Sequence, residues 1–213
     1  LKEFVSNKIC PRPEKIALIP NALSKEDLAA PLDRLEARRR LDVPESSKIT
    51  AMVGRLHIQK DPETLVRAAK RISNEEPSAR FLIAGIGPLQ NRLSNMIREL
   101  NLSDRFHLVG VVDARLIYAA CDVFVLPSAW EGFPNAAIEA MAAARPVVLA
   151  DFPGASEVVD YGVSGLVFPR GDDRALAEAV VGLLHDAARR ENMGAQARKS
   201  VAERYTVDRM VAN

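Results

Sequence analysis

Short apolar runs alternate with amphipathic stretches along this chain, and that alternation restricts the fold more than any other feature. The runs fall at 16–19, 49–53, 81–84, 106–109, 123–126, 147–150 and 166–168. A run such as Val123-Phe-Val-Leu126 has no polar alternation, so a strand built from it is buried on both faces, as strands of a parallel sheet are. Between the runs, apolar spacing predicts helices at about 31–41, 62–73, 89–101, 114–120, 135–144, 173–185 and 189–204. Strand and helix in strict turn give an α/β fold, a doubly wound parallel sheet with helices on both faces and right-handed crossovers. Some helix starts carry their own signal. Asp61 followed by Pro62 reads as an N-cap with proline in the first turn, and Pro88 and Pro134 precede or open two others.

With 213 residues, 48% of them hydrophobic and only 5% aromatic, the chain suits one large domain with an aliphatic core. A formal net charge of +1 gives no reason to expect nucleic acid or an acidic polymer as partner. The densest basic run, Arg38-Arg39-Arg40, reads as a solvated helix face. Cys10 and Cys121 are far apart, with no signal-peptide pattern and no apolar run of 18 residues, so a reduced setting without a disulfide is expected. Cys121, just before a strand, reads as a small buried residue. His57, His107 and His185 lack metal-ligand spacing, and no zinc site is expected.

The segment Ser128-Ala-Trp-Glu131-Gly-Phe-Pro-Asn135-Ala-Ala-Ile-Glu139-Ala-Met-Ala carries the most chemistry. It places two carboxylates eight positions apart across a loop-to-helix junction directly after a buried strand. Free backbone N–H groups at a helix N-terminus there attract phosphate and hydroxyl-rich ligands. Upstream, Arg55 follows the strand that ends at Gly54, and Lys60 precedes the helix capped by Asp61. Both cations therefore stand at the carboxyl edge of the sheet, where ligands bind in such folds and where they could neutralise a diphosphate. Gly85-Ile-Gly-Pro88 has Gln90 where a dinucleotide fingerprint needs its third glycine, which is weak support for NAD. No Asp-x-Asp occurs, so a diphosphate-holding divalent metal has no basis in the sequence, and no other cofactor is expected.

Together, Gly54-Arg55-Leu-His-Ile-Gln-Lys60-Asp, the Gly85 turn, the Glu pair and Gly165-Leu-Val-Phe-Pro169 resemble the nucleotide-sugar-binding half of retaining GT-B glycosyltransferases. The family is the large one that includes glycogen, sucrose and lipopolysaccharide glycosyltransferases (glycosyl transferases group 1). The likeness runs from about Ile16 to Tyr205 and implies a Rossmann-like fold, the C-terminal half of a GT-B enzyme. Residues 1–15 then read as a linker or the end of a preceding N-terminal domain, 16–205 as the nucleotide-sugar-binding domain, and 206–213 as the start of a C-terminal extension. Leu1 in place of an initiator Met points to a fragment, inactive without its N-terminal domain.

The resemblance also implies roles. Arg55 and Lys60 contact the donor's diphosphate and stabilise the leaving group, and Glu131 lies by the sugar hydroxyls near the reacting carbon; these three are the candidate catalytic residues. Glu139 accepts from the ribose hydroxyls. Gly132, Phe133, Pro134, Asn135 and Ala136 form a loop whose backbone faces sugar and phosphate, while Asn135 either caps the following helix or meets a sugar hydroxyl. Gly54 and Gly85 lie beside the nucleotide, Gly110 and Val111 supply backbone contacts to the base, and Asp113 either reads the base or caps the helix from Ala114. The expected donor is a UDP-sugar, with the acceptor bound through the N-terminal domain. The setting is cytoplasmic, with a peripheral contact at the inner face of a membrane left open and the oligomeric state undetermined. An epimerase or hydrolase of the same architecture and a non-catalytic nucleotide-binding module remain as alternatives.

Overall fold

The computed structural model describes residues 21–23 and 32–212. Six strands form one parallel sheet in the order β3-β2-β1-β4-β5-β6: β1 (Lys48–Val53), β2 (Ala79–Ala84), β3 (Phe106–Gly110), β4 (Val123–Leu126), β5 (Val147–Ala150) and β6 (Gly165–Phe168). Every residue of β4 and β5 is buried, as runs without polar alternation require when helices cover both faces. The expected strand at 16–19 lies outside the described residues.

The helices are α1 (Arg34–Arg40), α2 (Pro62–Glu75), α3 (Gln90–Glu99), α4 (Ala114–Ala120), α5 (Asn135–Ala142), α6 (Ala155–Val158), α7 (Asp173–His185), α8 (Ala187–Arg204) and α9 (Val207–Ala212). α2, α3 and α7 pack together on one face, while α4 with α1, and α5 with α8, cover the other. α2, for example, buries an apolar stripe of Leu65, Val66, Ala69 and Ile72. A single residue, Asp186, separates α7 from α8 and caps the latter by accepting from the Arg189 N–H. Asp61 caps α2 as expected, accepting from Thr64 N, but with a left-handed φ of 42°. That conformation turns the chain sharply out of a short 3-10 segment, Ile58–Lys60, which apolar spacing did not foreshadow. The four-residue α6 also escaped, being too short to show a period.

The basic run is not the uniformly solvated helix face expected of it. Arg39 and Arg40 are exposed, but Arg38 is 1% exposed. Its guanidinium reaches Asp122 at 2.9 Å and donates to the carbonyls of Ala120, Glu45 and Ser47. Burial first, then the neighbouring Arg34, pulls Arg38 below the usual arginine range, and Asp122 opposes that pull. Asp122 also meets Arg34 at 2.6 Å and Arg190 at 3.7 Å, and accepts from the Ile49 N–H at 2.7 Å. A charge is tolerated at this depth because partners from α1, α8 and β1 converge on it. Cys121 is buried as expected, which pushes its thiol up to about 12.

Candidate functional site

In this strand order the crossovers from β1 and from β4 leave on opposite faces, so the loops at their carboxyl ends part and open a crevice. β1 and β4 are hydrogen-bonded neighbours, and the two chemical segments of the sequence are the loops that follow them. The loops are stitched together. Ala129 N donates to Gln59 O at 2.8 Å, and Gln59 Nε2 donates to Trp130 O at 3.1 Å.

Across that junction Lys60 Nζ meets Glu131 Oε1 at 2.6 Å, with side chains 17% and 5% exposed. The Lys60 stem lies over Gly54, where a Cβ would be 3.5 Å from it. Ser128, fully buried, donates from Oγ to the same Glu131 oxygen at 2.5 Å. Arg55 is exposed, and the one hydrogen bond of its side chain among the described residues is a long 3.4 Å contact to Gln59 Oε1. A guanidinium at this edge with no carboxylate partner is available to an incoming anion. The sequence put Lys60 on diphosphate and Glu131 on sugar; the structure pairs them with each other.

The loop from Gly132 to Ala136 offers fewer amides than its length suggests. Pro134 has no N–H, and Asn135 N is taken by Phe133 O at 3.0 Å. Gly132, Phe133 and Ala136 N–H groups have no acceptor among the described residues. A Cβ on Gly132 would meet nothing within 4 Å, so open space borders this loop. The Phe133 ring turns away from it to pack edge-on against Tyr205, with centroids 5.7 Å apart. Asn135 does not cap α5. It is the first helical residue, Pro134 holds the cap position, and Asn135 Oδ1 accepts from Asn21 Nδ2 at 3.1 Å. A residue whose own φ and ψ are helical cannot turn its side chain back to the N–H groups ahead of it.

Glu139, one helix turn into α5, accepts on Oε2 from Tyr118 Oη at 2.7 Å. Asp113 takes the capping alternative. It accepts from Arg115 N and is paired with the Arg115 guanidinium at 2.7 Å, which holds its carboxyl below the usual range. Val111 is 77% exposed beside Gly110. The Gly85 turn has a packing reason of its own: a Cβ there would lie 1.9 Å from Gly54 O, and one on Gly87 2.4 Å from Leu56 O. Gly85 N donates to Gly110 O and Gly54 N to Ala84 O, so the loops after β1, β2 and β3 are laced into one rim. Ser128, Tyr118 and Gln59 were missed. Ser128 had a signal, a small hydroxyl after a buried strand and three residues before Glu131, whereas nothing in the sequence links Tyr118 to Glu139.

Fold and site thus define a doubly wound α/β domain with a rim of cations, carboxylates and loop amides at its switch point. The family model for glycosyl transferases group 1 matches residues 33–200, and the chain belongs to that family. It is 34% identical over 190 residues to the Escherichia coli UDP-Gal:alpha-D-GlcNAc-diphosphoundecaprenol alpha-1,3-galactosyltransferase, covering 87% of this chain and 49% of that one. The sucrose-phosphate synthase of Thermosynechococcus elongatus superposes with a TM-score of 0.87 at 29% identity, over 99% of this chain and 53% of the other. An Anabaena protein, HepE, crystallised with UDP and glucose, superposes with a TM-score of 0.85 at 25% identity, over 93% and 55%. The chain spans about half the length of the curated relatives it matches. No described helix is long and apolar enough to cross a membrane.

Proposed function

We propose that this chain is the nucleotide-diphosphate-sugar-binding domain of a retaining, metal-independent glycosyltransferase with a UDP-sugar as donor. It would transfer a hexosyl unit to a glycan, lipid-linked or small-molecule acceptor held by a further domain of a cytoplasmic enzyme. The observation that carries the reading is the cluster at the β1–β4 switch point: Lys60 and Glu131 joined at 2.6 Å and, among the described residues, Arg55 without an ion pair and three loop amides without acceptors. Two relatives support the donor class, since one uses UDP-Gal and a structural neighbour holds UDP with glucose.

In this reading the donor diphosphate lies against Arg55, Lys60 and the Gly132, Phe133 and Ala136 amides, where the α5 dipole adds to the positive field. The acceptor hydroxyl attacks the anomeric carbon on the face from which the diphosphate leaves. The departing oxygen takes the bond's electron pair and then the hydroxyl proton, and Arg55 and Lys60 stabilise its charge. Glu131 aligns the sugar and Glu139 the ribose.

The two carboxylates should therefore answer differently when the sugar is removed. Glu139→Gln is expected to weaken UDP and UDP-glucose alike, and Glu131→Gln only UDP-glucose, by about 1–3 kcal/mol for each lost charge-assisted bond. Calorimetric titrations decide it. Equal loss of UDP affinity in both variants would remove Glu131 from the sugar.

A further inference from the structure

Each carboxylate of the site is held on one side by a buried hydroxyl. Ser128 and Lys60 converge on Oε1 of Glu131, at 2.5 and 2.6 Å. Tyr118, 3% exposed on α4, reaches Oε2 of Glu139 at 2.7 Å. The opposite oxygens, Glu131 Oε2 and Glu139 Oε1, have no hydrogen-bond partner among the described residues. Neither is one of the sealed, unpartnered side-chain atoms there, which are Thr50 Oγ1, Ser73 Oγ and Arg145 Nε. Each carboxylate thus keeps one oxygen that no described residue engages.

The last torsion of a glutamate is soft, so an untethered carboxylate presents either oxygen over a broad range of angles. Two donors from different loops, one after β4 and one after β1, triangulate Oε1 of Glu131. The tyrosine hydroxyl does the same work for Glu139 from a neighbouring helix, with its ring fixed edge-on against Phe124, centroids 5.5 Å apart. Lys60 alone would leave the Glu131 carboxylate free to follow a flexible chain.

We propose that Ser128 and Tyr118 are positioning residues: Ser128 aims Glu131 Oε2 at a hydroxyl of the donor sugar, and Tyr118 aims Glu139 Oε1 at the ribose. The proposal rests on the roles given above to Glu131 and Glu139, and its test separates the two. UDP and UDP-glucose are titrated by calorimetry into the 213-residue chain and its variants. Ser128→Ala is expected to lower UDP-glucose affinity about fivefold to twentyfold and UDP affinity less than about twofold. Tyr118→Phe is expected to lower both ligands by the same factor. Ser128→Cys, near in size with a weaker donor, should repeat the sugar-specific pattern if the alanine variant folds poorly. In the Glu131→Gln background, Ser128→Ala should cost nothing more.

A merely structural role would move both ligands together in Ser128→Ala, and would make Tyr118→Phe cost as much in the Glu139→Gln background as in the parent, where positioning predicts no further loss; either result overturns the proposal, as does either hydroxyl variant binding like the parent. If Glu131→Gln is sugar-specific while Ser128→Ala is not, the positioning role falls and the site reading stands. If neither glutamate variant shows its pattern, or the parent chain binds neither ligand, the site reading falls and the positioning role with it.

Discussion

Replacing Asp122 by alanine is expected to destabilise the chain by about 3–5 kcal/mol, the range for breaking a buried charge pair from one side. Asp122 is 3% exposed, and the variant would leave Arg38 buried without its carboxylate and Ile49 N without its acceptor. It would also release Arg34 and Arg190, and with them the ties of α1 and α8 to the start of β4. The loss is steeper than an ordinary surface change because the uncompensated guanidinium has no route to water. Denaturant unfolding followed by circular dichroism gives the number. A loss below about 1 kcal/mol, the scale of exposed ion pairs, would mean that the cluster does not fasten these helices.

Removing either cation of the site should be nearly as costly to binding as Asp122 is to folding. Arg55→Ala and Lys60→Ala are each expected to weaken UDP by about 1.5–3 kcal/mol while leaving the fold intact. The two variants should differ toward a sugar-bearing donor. Among the described residues the Arg55 side chain makes one long contact, to Gln59, and touches neither carboxylate of the site. Lys60 also holds Glu131 at 2.6 Å, and removing it leaves that carboxylate on Ser128 alone. UDP-glucose should accordingly suffer more than UDP in Lys60→Ala, and equally with UDP in Arg55→Ala. Calorimetry on both ligands separates the cases, and unchanged UDP affinity in both variants would take the diphosphate away from these side chains.

The layer order of the fold was open to reading because β4 and β5 are unbroken apolar runs, Val123-Phe-Val-Leu126 and Val147-Val-Leu-Ala150, punctuated by capped helices. Strand order was not written there, yet it is what brings the loops after β1 and β4 side by side and makes Lys60 and Glu131 partners across 71 residues. Placing both residues at the sheet edge needed only local pattern; pairing them needed topology. Arg38 shows the same limit. Within Arg38-Arg39-Arg40 nothing distinguishes the buried residue from its solvated neighbours, and its fate is set by a carboxylate 84 positions away. The Gly85 turn was legible as a special backbone, but its cause, the carbonyl of Gly54 pressed against it, came only with the packed rim.

On the proposed reading a nucleoside diphosphate seats at the β1–β4 switch point, on side-chain cations and loop amides. The most direct measurement is an amide chemical-shift titration of the isotope-labelled chain with UDP in EDTA-containing buffer. The expected result is saturable movement of the Gly54, Arg55, Gly132, Phe133 and Ala136 signals, with the outer faces of α2 and α7, around Asn74 and Glu178, unmoved. Shifts centred away from that rim, or no shifts until magnesium or manganese is added, would contradict it.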